Sequence, residues 1–452
     1  MTEMLTCPQA LQSCREHEPQ IQAWAYLAAP QDLMLDKQRD ARPGSLSGVA
    51  FGVKDVIDVA GMPTRSGSLA TSSVPAELDA TCVAQLRDAG AVPIGKTVTA
   101  EFAYSSPGPT RNPHNPAHTP GGSSSGSAAA VAAGMVSMAL GTQTGGSMIR
   151  PAAFCGVVGF KPTFGRVHRH GMDVLCDSLD TIGWFTQTIA QAARVANVLI
   201  PSEGQSAGDC EPIAAGADCV SQPFDLGGSD RAPLQRIAVL PCRSLVSVDD
   251  DAMRALNESV SRLQRAGISV VQPSLDAELA RLLTIQTAIM HAELARGLLP
   301  RLRVSADEFS PRLRDVVTRG LTISYADYVG FQSERQRLAG VWREQFDDVD
   351  IIITPSAPGV APEGLNSTGS SVLNRVWSLL GWPCVHLPIR PSAQGLPLGV
   401  QCIALPDMDH QLLQWAAAWH PLLDQRDARP PRQQSFGIAE DGLSVLGGWR
   451  MA

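Results

Sequence analysis

Two glycine- and serine-rich segments carry the residue types that nucleophilic catalysis requires. The first, PGGSSSGSAAAVAAG, spans residues 120–134, and the second, GTQTGGSMIRPAAFCG, spans residues 141–156. A serine that follows two glycines just before a helix lies near backbone N–H groups that the helix leaves without a partner. Such groups can stabilise the negative charge that develops on an attacked carbonyl. Ser147 is therefore the candidate nucleophile. The candidate oxyanion hole is the backbone of Thr144, Gly145, Gly146 and Ser147.

A serine nucleophile needs a base, and Lys54 is a candidate for that role. It interrupts the apolar segment FGVKDVIDV, residues 51–59, which predicts a strand. Burial or nearby positive charge would lower the pKa of this lysine enough for it to accept a proton near neutral pH. The alternative is a lysine on an edge strand that opposes aggregation. The position in the sequence favours neither interpretation.

The first glycine-rich segment, residues 120–134, allows other interpretations. A flexible spacer is disfavoured because small apolar residues with good helix propensity follow the serines directly, which predicts a buried helix. A phosphate loop is disfavoured because no lysine follows Gly126. A nucleophile elbow centred on Ser124 matches GxSxG and would take His386 or His410 as its base. The elbow needs a strand before the serine, and a turn-rich, proline-containing stretch stands there instead.

The elements that must position these residues alternate between strands and helices. Residues 48–61 predict a buried strand pair or hairpin, and Asp79 is a candidate cap for a helix that stops at Gly90 before the strand AVPIG. VSMAL predicts a short strand, followed by a short helix from about Ser147. Farther on, a helix over 249–266 stands between the strands RIAVLP and ISVVQP, and VDIIITP predicts a fully buried strand. This alternation predicts an α/β fold with a large central sheet.

Composition excludes several classes of function. The 452 residues carry a net charge of −8 with no long basic run, so we expect no nucleic-acid partner. None of the ten cysteines belongs to a CxxC motif, so we expect no metal site. We expect His168 and His170 to be surface or pocket-rim residues. The first residues show no signal-peptide pattern, and the longest apolar run is shorter than a membrane helix. These features predict a cytoplasmic protein without a membrane partner.

We expect a single domain over residues 1–452. Its predicted parts are an N-terminal helical segment (1–45), a catalytic core (46–200), a surface loop (201–235), the rest of the sheet with substrate-pocket helices (236–425) and a polar C-terminal tail (426–452). Cys155 is expected to be a small core residue. Trp377 and Trp382 are expected either in the core or on the wall of a substrate pocket.

Several segments together resemble the amidase signature family of serine amidohydrolases. They are GVKDVIDVAGMPTRSGS, TPGGSSSGSAAAVAAG and GTQTGGSMIRPAAFCGVVGFKPTFGRV, followed by SLDTIGWFTQTIAQAARVANVL, DIIITPSAPGVAP, LGWPCVHLP and GLPLGVQ. The resemblance extends from about Ile21 to His420 and is densest between Gly48 and Val167. It implies a mixed, roughly eleven-stranded sheet with helices on both faces.

The resemblance also implies roles for individual residues. The family uses a Ser–cis-Ser–Lys triad, whose lysine falls on Lys54, whose bridging serine falls on Ser123 and whose nucleophile falls on Ser147, 24 residues after Ser123. In the implied mechanism, neutral Lys54 receives a proton through Ser123 as Ser147 attacks an amide carbonyl, and water then hydrolyses the acyl-enzyme. The supporting residues would be Gly122, Ser124, Gln143 and Arg150.

Two positions depart from the usual family pattern. Gln143 stands where the family usually has an aspartate, in GTDTGGS, and Arg150 lies one position later than in GGSIRxP. A glutamine can still accept backbone N–H bonds, although without charge, so we expect an active enzyme with altered support of the loop.

The expected function is amidase: hydrolysis of a carboxylic acid amide to an acid and ammonia or an amine. The expected partner is a small-molecule amide, without a cofactor, and a homodimer is the candidate assembly. One alternative is the A subunit of a tRNA-dependent amidotransferase, which tends to read GSDTGGSIRQPA where this chain reads GTQTGGSMIRPAA. A second alternative is an inactive binding protein on the same fold. The sequence does not select one amide.

Overall fold

The computed structural model describes residues 3–31, 33, 44–104, 106–200 and 234–425. Within these ranges, eleven strands form one sheet. The strands are β1 (Trp24–Leu27), β2 (Ala50–Lys54), β3 (Val92–Thr97), β4 (Met138–Gln143), β5 (Val158–Lys161), β6 (Thr181–Thr186), β7 (Arg236–Val239), β8 (Ser269–Val271), β9 (Ile351–Pro355), β10 (Cys384–Pro391) and β11 (Pro397–Ile403).

The sheet is mixed, in the order β1-β3-β2-β4-β6-β5-β10-β11-β9-β7-β8. Strand β2 pairs in parallel with both β3 and β4, and β7 pairs in parallel with β8 and β9. The other pairs are antiparallel. The α/β class and the large mixed sheet predicted above are therefore confirmed.

Helices cover both faces of the sheet. They are α1 (Cys7–Ile21), α2 (Thr81–Asp88), α3 (Ser125–Ala132), α4 (Ile149–Cys155), α5 (Ile189–Leu199), α6 (Asp250–Arg265), α7 (Asp276–Val304), α8 (Pro311–Leu321), α9 (Tyr325–Gln345), α10 (Val372–Leu380) and α11 (Asp409–Leu423). Successive residues of a strand point to opposite faces. Accordingly, Ile351 and Ile353 belong to an apolar cluster shared with α1, α2, α3, α5, α6 and α11, and Ile352 belongs to a second cluster shared with α7–α10.

Several elements match their sequence patterns. The small-residue run after the first serines is the buried helix α3, and α6 runs from Asp250 to Arg265 with Asp249 at its N-cap. Residues 351–355 form a strand that is buried throughout. These patterns are local and strongly periodic, which is the situation in which sequence predicts structure best.

Two local predictions are wrong, and the start of a third element differs by two residues. Residues 48–61 contain one strand, β2, and no hairpin, because the chain turns at once after Lys54, whose carbonyl accepts hydrogen bonds from the backbone N–H groups of Val56 and Ile57. Helix α2 has Ala80 at its N-cap, since the Asp79 carboxylate accepts the Ala60 N–H instead. Helix α4 begins at Ile149, two residues after Ser147.

Some predictions fall outside the described ranges or have no test in the fold. The predicted loop at 201–235 is outside them except for Leu234 and Gln235, and the predicted tail at 426–452 is outside them entirely. The predicted N-terminal helical segment holds α1 and also the edge strand β1. The single-domain assignment stays a prediction. None of the helices in the described ranges is both long and apolar enough to cross a membrane.

Candidate active site

Lys54 is the last residue of β2, which lies between β3 and β4 in the sheet. The edge-strand interpretation of this lysine is therefore wrong. Parallel strands end at the same edge of a sheet, so the end of β2 lies beside the end of β4. This arrangement brings Lys54 Nζ to Thr142 in β4, where it donates a 2.7 Å hydrogen bond to the threonine hydroxyl.

Lys54 also contacts the serine implied by the family resemblance. Its Nζ lies 2.8 Å from Ser123 Oγ, and both side chains are fully buried. The peptide bond between Gly122 and Ser123 is cis. The Ser123 carbonyl accepts a hydrogen bond from the backbone N–H of Ala100, in the loop after β3, and this bond anchors the serine segment to the edge of the sheet.

Burial lowers the pKa of Lys54 to about 7, with a smaller contribution from the positive charge of Arg150 and against the opposing effect of Asp180. Desolvation disfavours the charged form of an amine. A substantial fraction of this lysine is therefore neutral near pH 7, and neutral Nζ can accept a proton from the adjacent hydroxyl.

The loop between β4 and α4 turns its carbonyl groups into the protein. The Thr144 carbonyl accepts a hydrogen bond from Gln286 Nε2, and the Gly145 carbonyl accepts one from Ser378 Oγ. In the described part of the chain, the backbone N–H groups of Gly145, Gly146 and Ser147 donate to no protein acceptor. Free N–H groups in succession are what an oxyanion hole requires.

Gly146 cannot carry a side chain in this loop. A Cβ at this position would lie 2.5 Å from Asn374 Oδ1 on α10, closer than real Cβ contacts come. The absence of a side chain lets the loop pack directly against α10.

Gln143, the last residue of β4, braces the loop from behind. Its Oε1 accepts the backbone N–H groups of Met148 and Ile149 at 2.8 and 3.1 Å. Its Nε2 donates to Ser378 Oγ, which in turn donates to the Gly145 carbonyl. A neutral amide thus accepts the two bonds that an aspartate could accept at this position, and adds a donor that an aspartate lacks.

Replacing Gln143 by methionine is expected to lower the free energy of unfolding by about 2–4 kcal/mol, because two buried N–H groups lose their acceptor. The same change is expected to lower kcat by freeing the loop. Gln143→Glu is the matched control, since it retains an oxygen for both N–H groups and should cost less. Urea unfolding of the three proteins measures the effect, and equal stability of Gln143→Met and wild type would refute the bracing role.

Arg150, on α4, supports the serine segment. Its Nε donates to the Gly122 carbonyl at 3.0 Å, and its two terminal nitrogens donate to the Gly122 and Gly369 carbonyls. Burial lowers the pKa of Arg150 to about 9, with further lowering by the charges of Arg375 and Arg312. The guanidinium therefore holds the carbonyl of the residue before Ser123.

A cavity of about 260 Å³ opens beside the loop. Ser147 lies in its wall with 7% of its surface exposed, next to the free N–H groups. The remaining wall comes from the segment around Phe102, from Arg150, Leu175 and Cys176, from α7 and α8, and from residues 367–375. Ser147 is therefore accessible from the cavity, whereas Ser123 and Lys54 are fully buried and do not line it.

Ser124 does not sit in a nucleophile elbow. Among the described residues, its hydroxyl contacts the Thr142 backbone and Met148 Sδ, and it is fully buried outside the cavity. His386 Nδ1 lies 2.6 Å from Ser356 Oγ instead. Ser124 therefore links the loop before α3 to β4.

The structure also decides the positions of other candidate residues. Cys155, Trp377 and Trp382 are each 1% exposed and belong to the core, and the two tryptophans do not line the cavity. His168 and His170 are exposed. Within the described ranges, no group of three His, Cys, Asp or Glu residues could hold a metal ion.

Sequence reasoning missed two polar residues of the site. Thr142 accepts the hydrogen bond from Lys54, and buried Asp180 accepts hydrogen bonds from the Thr144 hydroxyl and from the Leu175 and Cys176 backbone. Thr142 lies one residue before Gln143, inside the glycine-rich segment. Asp180 lies in SLDTIG, which carries part of the family resemblance, but no local pattern assigned it a partner.

The amidase family model matches residues 8–413 of the sequence. The chain belongs to the amidase family. Its fold agrees with this membership, since it is similar to solved structures of the family across nearly its whole length. This amidase is therefore an enzyme that acts as an amidohydrolase.

Its relatives include both amide hydrolases and components of amidotransferases. The amidase is 33% identical to the A subunit of glutamyl-tRNA(Gln) amidotransferase of Salinibacter ruber, over 84% of its own length and 88% of the relative's. It is similar to the peptide amidase of Stenotrophomonas maltophilia, with 28% identity and a TM-score of 0.74 over 95% and 94% of the two chains. A 6-aminohexanoate cyclic dimer hydrolase shows 25% identity and a TM-score of 0.79 over 94% of each chain.

Proposed function

We propose that this amidase hydrolyses a small carboxylic acid amide through an acyl-enzyme intermediate. Ser147 is the nucleophile, Ser123 relays the proton and Lys54 is the base. The observation that carries the proposal is the 2.8 Å contact between buried Lys54 Nζ and Ser123 Oγ, with the free N–H groups of the loop next to Ser147. These groups supply a base and a site for negative charge.

In the first half of the reaction, Ser147 Oγ attacks the amide carbon as its proton passes to Ser123, whose own proton passes to Lys54 Nζ. The carbonyl oxygen becomes an oxyanion, which the backbone N–H groups of the loop from Thr144 to Ser147 stabilise. The relay then runs in reverse, and the proton reaches the leaving nitrogen as the C–N bond breaks. Ammonia or an amine leaves, and the acyl group stays on Ser147.

In the second half, a water molecule attacks the acyl-enzyme. The same relay takes the proton of the water, and the Ser147 oxygen leaves with a proton returned from Ser123. The free acid dissociates. The low pKa of Lys54 fits this cycle, because the neutral lysine must gain and then lose a proton in each half-reaction.

A trapped acyl-enzyme tests the proposal. The enzyme is mixed with a panel of primary and aryl amides, scored by release of ammonia or amine, quenched in acid and digested. A mass increase equal to the acyl group is expected on the peptide that contains Ser147. Turnover with the acyl group on another residue would refute the assignment of the nucleophile.

The Salinibacter relative supports a second candidate function, that of the glutaminase component of a tRNA-dependent amidotransferase. Such a function would require a partner protein. Glutamine hydrolysis that depends on a co-purifying protein would favour it, whereas hydrolysis of other amides by the purified chain on its own would favour the amidase function.

A reducing cellular compartment is proposed for the enzyme. Seven cysteines within the described ranges are free and buried: Cys14, Cys82, Cys155, Cys176, Cys242, Cys384 and Cys402. Free cysteines are typical of cytosolic proteins.

A further inference from the structure

The cavity beside Ser147 has a charge opposite to that of the chain. The sequence carries 44 acidic and 36 basic residues, yet three arginines and no Asp or Glu line this cavity in the described part of the protein. The three are Arg150, Arg312 and Arg375. A positive cavity in an acidic protein indicates a ligand with negative charge.

Arg150 is already engaged, since it bonds to the Gly122 and Gly369 carbonyls. Arg375 is not engaged in this way: it is half-buried on α10 and donates to the hydroxyl groups of Ser371 and Thr287 at 3.2 and 3.3 Å. No carboxylate within the described ranges pairs with it. A guanidinium has five N–H groups. Since two of them make these hydrogen bonds, the others remain for a ligand.

Arg375 lies directly alongside the oxyanion loop. A Cβ built at Gly145 would be 3.5 Å from Arg375 Cγ and 3.9 Å from its Nε. An anionic group held by this guanidinium would therefore be close to the amide that Ser147 attacks. The cavity volume of about 260 Å³ lies near the lower end of the range for ligand pockets, which also indicates a small ligand.

Arg312 adds a second charge at the mouth of the cavity. It is exposed in the first turn of α8 and makes no hydrogen bond or ion pair with the described residues. All three guanidinium-bearing residues line the same cavity, and the charges of Arg312 and Arg375 accordingly lower the pKa of Arg150.

The neighbouring carboxylates lie outside the cavity, and each accepts a hydrogen bond or pairs with another group, although Glu101 Oε2 is buried without a hydrogen-bond partner among the described residues. Glu101 accepts the Ser310 N–H, Asp180 accepts the Thr144 hydroxyl, and Glu293 accepts the Ser178 and Tyr328 hydroxyls. Asp315 pairs with Arg319 on the same helix. None of these carboxylates lines the cavity.

We infer that the substrate is a short amide that carries a carboxylate, which Arg375 binds and Arg312 attracts. This inference rests on the proposed amide hydrolysis and names its substrate class. Guanidinium and carboxylate match each other in geometry as well as in charge. A neutral amide would leave the half-buried Arg375 guanidinium without a counter-charge.

The test compares dicarboxylic acid monoamides with their diamides, since a carboxylate and a carboxamide have nearly the same shape. The probes are malonamate, succinamate and glutaramate against malonamide, succinamide and glutaramide. For at least one pair, kcat/KM is expected to favour the monoamide about ten- to a hundredfold, the range that a hydrogen bond to a charged group supplies. High salt should weaken this preference, because salt screens the charge of exposed Arg312 and so reduces its contribution.

Arg375→Gln should reduce the monoamide-to-diamide ratio at least tenfold, mainly through KM, and Arg375→Lys should retain part of it. Arg319→Gln is the matched control, because Arg319 is an exposed arginine of α8 that lies outside the cavity and pairs with Asp315. It should keep the wild-type ratio. An unchanged ratio in Arg375→Gln, or a wild-type preference for the diamides, would overturn the inference.

A binding measurement separates this inference from the proposed function. The products malonate, succinate and glutarate are titrated calorimetrically into the Ser147→Ala protein with and without Arg375→Gln. Saturable binding of one of them that Arg375→Gln weakens at least tenfold would support the carboxylate site even if no amide were hydrolysed. Hydrolysis of neutral amides that depends on Ser147, without binding of any of these dicarboxylates, would leave the proposed function standing and refute the carboxylate site.

Discussion

Replacing Ser147 by alanine is expected to lower kcat by about 10⁴-fold or more for every amide that the enzyme hydrolyses. The change removes the atom that attacks the carbonyl, while the free N–H groups and the cavity remain. Labelling by a fluorophosphonate, which reacts with activated serines, should disappear as well. Ammonia release and in-gel labelling measure the two effects.

Ser124→Ala is the control for this change. Ser124→Ala also removes a serine hydroxyl near the candidate site. The Ser124 hydroxyl, however, bonds to the β4 backbone, and Ser124 does not line the cavity. This variant should keep its labelling and most of its activity. Labelling that survives in Ser147→Ala and disappears in Ser124→Ala would instead place the nucleophile in the GxSxG elbow.

Replacing Lys54 by methionine is expected to lower kcat by about 10³-fold, within the range of general-base catalysis. Methionine has a similar shape and cannot accept the proton from Ser123 Oγ. In the wild type, kcat/KM should rise with pH through about 7, since Lys54 must lose its proton before it can act as a base. The acidic limb of the profile should disappear in the residual activity of Lys54→Met.

Lys161 provides a matched control for Lys54. It is also fully buried and has a pKa lowered by burial, but its Nζ bonds to the Pro162 carbonyl and it does not line the cavity. Lys161→Met should keep activity within a few-fold. Equal losses of activity in the two variants would mean that Lys54 supports the structure and is not the base.

The same pKa shift predicts an effect on stability. The folded protein holds Lys54 at a pKa of about 7, against an ordinary value of 10.5, so between these values the unfolded chain binds more protons. Above pH 10.5 Lys54 is neutral in both states and does not affect the free energy of unfolding. As pH falls from 10.5 toward 7, protonation of the unfolded chain lowers the stability of the folded protein. Lys54→Met removes that penalty and should unfold at a higher temperature than wild type near pH 7.

Local chemistry made much of the site predictable. Glycines before Ser147 predicted free backbone donors, and the small residues after Ser125 predicted a buried helix, because both features depend on neighbours in the sequence. The role of Gln143 as an acceptor for the loop was also predictable from its side chain. The sequence left the role of Lys54 undecided, since a lysine in an apolar strand is consistent with a strand at the edge of the sheet or with one in its interior.

Long-range packing decided the rest. Thr142 and Asp180 reach the site through strand pairing and through loop contacts, which no local pattern records. Arg375 and Arg312 lie more than 160 residues after Ser147 and reach the same cavity only because α10 and α8 pack against α7. The charge of the cavity was therefore invisible in the composition, which is acidic overall.

The sequence by itself determined the α/β class and the candidate nucleophile Ser147, because apolar strands and glycine-rich turns are encoded by adjacent residues. Its resemblance to the amidase signature family implied the roles of Ser123 and Lys54. Only the tertiary structure decided that Lys54 is interior, that its pKa is lowered and that three arginines line the cavity. Those properties depend on burial and on distances between segments far apart in the chain. The first set underlies the proposed reaction, and the second supports both a neutral Lys54 near pH 7 and the inferred anionic substrate.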